Sequence, residues 1–161
     1  MKNLAIFTLI LGVFVFATSS CKKVAEPVAL NVIENAGMAT ISGIAYAPVN
    51  DTTSADTYAP SGTTLMVEVD PSDFPGVSTY GNNSNMLYYS TTVGANGAWT
   101  IQVPAPKTSA WVYVYPQDFR SNYIDGAGDT ESAEFYYDGA YFSVNVMEGA
   151  SVIEDFWYDR N

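Results

Sequence analysis

Hydrophobic residues fall into two patterns along this chain. From Leu4 to Phe16 they run almost continuously, and the run then gives way to Ala17-Thr18-Ser19-Ser20 before Cys21. From Met38 onward they alternate with polar residues, the two-residue period of a half-buried strand. That alternation predicts strands over residues 39–46, 63–69, 86–93, 99–103, 110–115, 142–146 and 152–158. Leu65, Val67 and Val69 share one face, as do Trp99, Ile101 and Val103, and Phe142, Val144 and Val146. Gly94-Ala95-Asn96-Gly97 carries an Asn-Gly pair tolerant of positive φ, which predicts a hairpin joining the strands on either side of it. Residues 71–85 read as a long Ser-, Gly- and Asn-rich connection, residues 117–132 as irregular, and residues 135–137 as a brief pairing segment. About seven strands in roughly 120 residues, with no convincing amphipathic helix, predict an all-β fold: one antiparallel β-sandwich over residues 38–161.

The first residues have a different purpose. A lysine at position 2, an apolar stretch of secretory length and small residues before a break form the layout of a signal peptide over residues 1–20. The stretch falls short of the roughly 20 apolar residues that a spanning helix needs. Ser19-Ser20-Cys21 resembles the lipobox of bacterial lipoproteins, with Thr18 where an aliphatic residue is usual, a form closer to the permissive version of Bacteroidetes. The resemblance implies that Cys21 carries lipid and holds the mature chain at a membrane of the cell envelope, with the outer membrane as the expected location. Each buried methylene of such a lipid adds about 0.8 kcal/mol, so two or more acyl chains anchor stably. Lys22-Lys23-Val24-Ala25-Glu26 does not resemble the acidic tracts that mark surface export. Residues 21–37, with Pro27 and the turn-like Asn35-Ala36-Gly37, read as a tether; the other reading makes Val28, Leu30 and Val32 one more strand.

Charge and composition narrow the chemistry. Beyond residue 20 there are five basic residues against 17 acids, a net charge of −12, which argues against nucleic acid as a partner. The chain has no histidine and a single cysteine. A Ser-His-Asp or Cys-His arrangement, an imidazole or thiolate zinc site and a redox dithiol therefore lack their side chains. Paired carboxylates, Glu68 with Asp70 or Glu154 with Asp155, fall short of the opposed groups about 5 to 9.5 Å apart that glycoside hydrolysis needs. Adjacent residues of one strand, such as Glu154 and Asp155, point to opposite faces. The expectation is a protein that is not an enzyme and has no cofactor.

Three stretches carry a second resemblance: residues 39–46 (Ala-Thr-Ile-Ser-Gly-Ile-Ala-Tyr), residues 59–63 (Ala-Pro-Ser-Gly-Thr) and residues 95–104 (Ala-Asn-Gly-Ala-Trp-Thr-Ile-Gln-Val-Pro). Together they resemble carboxypeptidase regulatory-like domains, whose sandwich is transthyretin-like. The resemblance spans roughly Ala39 to Tyr158 and implies fold far more than function. Domains of this sort often serve as adhesion, scaffolding or sugar-binding modules on exported proteins. Transthyretin-like hydrolases of purine breakdown use histidines, so that activity is not implied here. Fimbrillins also resemble lipidated sandwiches of this kind, but they mature by cleavage after an N-terminal arginine, and the arginines here are Arg120 and Arg160.

Two candidate sites follow. With Val112 and Val114 turned inward, Trp111, Tyr113 and Tyr115 form an outward aromatic row. Such a row either stacks on a glycan or fills a protein interface, or else packs across strands beneath a long loop. Asp125, Asp129 and Glu131, with Glu134 and Asp138 nearby, gather oxygen ligands in a Gly-containing stretch, either a Ca²⁺ loop or a solvated turn. Asp51-Thr52-Thr53 resembles the O-glycosylation acceptor pattern of Bacteroidetes. The function expected is a membrane-anchored binding or adhesion module for an envelope protein or glycan. The alternative is a structural or appendage-associated subunit, and a carbohydrate-active enzyme is the remote third.

Overall fold

The computed structural model describes residue 33 and residues 35–77 and 86–161. Cys21, residues 1–20 and the alternating Val28, Leu30 and Val32 lie outside the described residues. Ten strands occur among those described: β1 (Gly37–Tyr46), β2 (Thr64–Val69), β3 (Leu87–Thr92), β4 (Ala98–Ala105), β5 (Ala110–Pro116), β6 (Phe119–Ile124), β7 (Thr130–Tyr137), β8 (Phe142–Val146), β9 (Ser151–Ile153) and β10 (Phe156–Arg160). They form two sheets, one in the order β4-β1-β10-β7-β6 with β9 also on β1, the other β3-β2-β5-β8. The fold is a β-sandwich, as the alternation predicts.

The inward positions close the core. Leu65, Val67 and Val69 of β2 and Val112 and Val114 of β5 are fully buried, opposite Ile41 of β1, Val103 of β4 and Phe135 of β7. Full burial of such side chains contributes about 1.5–3 kcal/mol each. Aromatic rings from both sheets meet at one end of this core: Phe156 lies 5.3 Å from Phe142, 5.9 Å from Tyr137 and 6.1 Å from Trp99. Tyr158 donates its hydroxyl to the Gln117 carbonyl at 3.2 Å, and burial pushes its acidity well above the ordinary tyrosine value. Ile33, within the segment read as tether, is buried in the same core.

Three expectations are corrected. The Asn-Gly turn has the predicted backbone, with Asn96 at φ 56° and Gly97 at φ 73°, but the strands it joins are not a hairpin. β3 pairs with β2 in one sheet and β4 with β1 in the other, in unbroken register from Gly37↔Ala105 to Ile44↔Ala98. A turn sequence specifies local dihedrals; the longer ladder and the burial of Trp99 and Val103 decide the partner. The stretch read as irregular contains β6, which forms a hairpin with β7 from Phe119↔Phe135 to Ile124↔Thr130. The single closing strand expected over residues 152–158 is broken into β9 and β10. Both run parallel to β1, and Glu154 and Asp155 lie between them.

The polar segment after β1 is anchored rather than loose. Ile124 N–H donates to the Val49 carbonyl at 3.0 Å and Asp51 N–H to the Ile124 carbonyl at 2.8 Å, covering part of the edge of β6. From β10, Arg160 donates to the Pro48 carbonyl at 2.9 Å and to both Asp51 carboxylate oxygens at 3.0 and 2.7 Å.

Candidate functional site

The alternation in β5 buries Ala110, Val112, Val114 and Pro116 and turns Trp111, Tyr113 and Tyr115 to the outer face of the four-stranded sheet. Trp111 is 48% exposed, and its backbone N–H donates to Asp73 Oδ2 at 2.8 Å, which fixes this end of the strand. Register places Glu68 and Met66 of β2 beside Tyr113 and Tyr115, and Tyr88 of β3 beyond Glu68. Tyr141, from the connection between β7 and β8, joins them: its ring lies 5.3 Å from that of Tyr113, edge to face, and 5.4 Å from that of Tyr115. Tyr88 is 64% exposed and Tyr141 47%. Sequence alternation finds the three β5 rings; Tyr88 and Tyr141 are added by sheet register and by a turn, which periodicity does not encode.

Among the described residues, Glu68 is the charged residue that register centres among these rings. Tyr115 is pushed up to about 12, by burial first and then by the nearby Glu68 carboxylate. Its hydroxyl therefore stays protonated at physiological pH and serves as a donor. The surface offers ring faces, the Met66 thioether and the Glu68 carboxylate. These groups give the face the means to bind.

The acidic stretch is a turn. Asp125 Oδ1 accepts from the backbone N–H groups of Ala127 at 2.9 Å and Asp129 at 2.8 Å, while Asp125 N–H donates to the Asp129 carbonyl at 2.9 Å. This closes the β6–β7 hairpin, with Gly128 at φ 91°. Glu131 follows on β7 opposite Tyr123. Among the described residues no three acidic side chains are grouped closely enough to hold a metal ion, Asp125, Asp129 and Glu131 included.

Several of the other candidate residues have partners within the fold. Thr52 donates both its N–H and its hydroxyl to Asn50 Oδ1, at 2.9 and 2.7 Å. Asp70 caps a short 3-10 turn by accepting from Ser72 N–H at 2.8 Å, and Asp155 Oδ1 accepts from Ile44 N–H at 2.7 Å. Asp51 forms a bidentate pair with Arg160, whose guanidinium also lies 3.8 Å from the centre of the Tyr123 ring. The hydrogen bond from Arg160 holds the Asp51 carboxyl below its ordinary value of 3.8.

A carboxyl lowered on folding contributes stability above its unfolded value and loses it as pH falls through the folded value. The melting temperature of the protein should therefore fall below about pH 4, and Asp51→Asn should flatten part of that descent while lowering stability at neutral pH. Thermal melts of both proteins from about pH 6 to pH 2.5 test this. Parallel curves would mean that the pair contributes no pH dependence.

No protein-family model matches the chain, and no curated protein matches it. Among solved structures it is similar to GBS52, the minor pilin of the gram-positive pathogen Streptococcus agalactiae, at 7% identity and a TM-score of 0.44. That likeness covers 78% of this chain and 46% of the pilin, so the chain spans about half the length of the protein it matches. What two facing sheets and a shared apolar interior establish for this chain is a β-sandwich domain.

Proposed function

We propose that the chain is a lipid-anchored, non-catalytic binding module of the bacterial envelope, and that the outer face of the β3-β2-β5-β8 sheet is its contact surface. One observation carries this reading: Tyr88, Trp111, Tyr113, Tyr115 and Tyr141 gather with Met66 on one outward face. Tyrosine, tryptophan and methionine are the residues enriched at protein interfaces, where charged residues are depleted. Among the described residues the same face has one central carboxylate, Glu68, and this sparse charge favours a protein partner over a glycan. The lipid anchor rests on Ser19-Ser20-Cys21 and the preceding apolar run.

A second reading, a structural subunit joined through its sheet edges, is favoured by β3 and β8. Each ends its sheet with one side unpaired among the described residues. One experiment separates the two. Cells expressing the full chain, a Cys21→Ser variant or a Trp111→Ala/Tyr113→Ala variant are crosslinked, fractionated and the captured partners identified.

The full chain should lie in the membrane fraction with a reproducible protein partner. Cys21→Ser should leave that fraction, and the double variant, still folded by its melting curve, should lose the partner. A partner retained by the double variant moves the contact to the sheet edges. Cys21→Ser remaining in the membrane defeats the anchor. Binding of the purified full chain to a glycan array, lost in the double variant, would replace the protein partner by a sugar.

A further inference from the structure

The other sheet carries aromatic residues that the β5 row does not include. Tyr46 ends β1 and Trp157 lies in β10, and the parallel register Tyr46↔Trp157 sets their outward side chains next to each other. The rings stack at 5.0 Å between centroids and 12° between planes. Tyr58 returns to pair with Tyr46 and tilts its ring against it at 5.7 Å. Tyr46 thus has rings on both sides, while Trp157 ends the stack and remains 58% exposed. An indole this exposed, held flat by a neighbour, presents a preorganised ring face.

The segment between Tyr46 and Tyr58 walls this face into a cleft. Its attachments to Ile124 and Arg160 hold it over β10 and enclose an open space of about 490 Å³, lined by Tyr46, Trp157, Asn50, Thr53, Asp56 and Asp159 among others. The polar groups there are mostly acceptors. Asp56 and Asp159 form no ion pair among the described residues, where the one salt bridge is Arg160 with Asp51. Thr57 spends its hydroxyl on the Ala47 carbonyl, and Thr53 Oγ1 accepts from Ala55 N–H. Asn50 Oδ1 is occupied by Thr52, which leaves its amide as a donor.

We propose that this cleft binds an organic cation, a guanidinium or alkylammonium head that lies on the free face of Trp157 and is neutralised by Asp56 and Asp159. The chemistry required is a ring face for a diffuse positive charge and carboxylates to accept its N–H groups. The fold already uses that recipe next to the cleft: Asp51, one of its lining residues, is bonded through both oxygens by Arg160, whose guanidinium lies over the Tyr123 ring. A neutral sugar would stack on the indole but leave two carboxylates uncompensated. A bare metal ion lacks a grouping of three ligands among the described residues. The field in the cleft has the matching sign: Tyr46 is raised above its ordinary value by burial, then by Asp155 and Asp56.

The test uses the ¹⁵N-labelled full chain in a non-ionic detergent and follows the indole N–H signals of Trp99, Trp111 and Trp157, assigned with Trp157→Phe. Added acetyl-argininamide should move the Trp157 signal saturably, with half-saturation in the range of about 1–10 mM, while Trp99 and Trp111 stay in place. Asp56→Asn/Asp159→Asn should weaken binding about fivefold or more. The neutral isostere acetyl-citrullinamide should leave the signal unmoved.

A Gly-Gly-Arg-Gly-Gly peptide distinguishes the sources. Tighter binding than acetyl-argininamide points to a side chain displayed on a polypeptide, and equal or weaker binding to a small molecule. The proposal is overturned by no shift at about 50 mM acetyl-argininamide. It is equally overturned by an equal shift with acetyl-citrullinamide, methyl glucoside or Ca²⁺, or by unchanged affinity in the double variant.

Discussion

Phe156→Ala should lower the stability of the domain by about 4 kcal/mol, the upper part of the range for removing a buried phenyl ring. The ring is 3% exposed and is the hub of the aromatic end of the core. Trp99, Tyr137, Phe142 and Tyr158 all lie within 6.1 Å of it, and they come from β4, β7, β8 and β10, so both sheets touch it. Collapse around the deletion is hindered because these neighbours are rigid rings on paired strands. The cavity should therefore persist and add its own cost to the lost transfer energy. Trp99 adds a further reason, since its Nε1 is already buried without a hydrogen-bond partner among the described residues. For a domain of this size, about 4 kcal/mol is a fall in melting temperature of roughly 12–16 °C. Phe156→Leu keeps most of the volume and should cost about 1.5 kcal/mol. Urea titrations of the three proteins measure the differences. A loss below about 1 kcal/mol for the alanine variant would mean that the cluster repacks freely.

The sequence encodes faces better than partners, and this structure shows where that line falls. Strands β1, β2, β4, β5 and β8 are legible because apolar residues recur at every second position, as in Leu65, Val67 and Val69, and β3 because it is a run of aromatic and β-branched residues. β6 is not, since its half-buried positions are Phe119, Ser121 and Tyr123, with a serine in the middle and Pro116 just upstream. Its partner is a hairpin strand across the Asp125–Asp129 turn, and the same Asp and Gly residues that build a tight turn also compose a calcium loop. The Asn96-Gly97 backbone is legible, whereas the departure of β3 and β4 into different sheets depends on ladders formed with β2 and β1. The candidate site divides in the same way. The outward row of Trp111, Tyr113 and Tyr115 follows from alternation. The cleft does not, because Arg160 meets Asp51 across 109 positions of sequence and Tyr46 meets Trp157 only through parallel register.

The break between β9 and β10 was invisible for a related reason: it is set by a close approach to Gly43, whose substitution should be among the most damaging in the domain. Glu154 N–H donates to the Ser42 carbonyl at 2.8 Å and Asp155 Oδ1 accepts from Ile44 N–H at 2.7 Å, so the broken strand is stitched to β1 on either side of Gly43. Between those bonds the Glu154 carbonyl presses on the glycine. A Cβ at position 43 would lie 1.8 Å from that oxygen, 2.6 Å from its carbon and 3.1 Å from Trp99 Nε1. The obstacle is backbone, which no rotamer change relieves, so β10 must leave β1 or the stitching bonds must break. Gly43→Ala should cost about 3 kcal/mol or more, a fall of roughly 10 °C in melting temperature. Gly126→Ala is the matched control: its added Cβ meets nothing within 4 Å, and its effect should stay within about 0.5 kcal/mol. Equal melting temperatures for the two variants would show that the approach at Gly43 is relieved without loss. A displaced β10 also carries Trp157 away from Tyr46, since both belong to the same register. Where Gly43→Ala remains folded, the Trp157 indole signal should therefore move while that of Trp111, on the other sheet, does not.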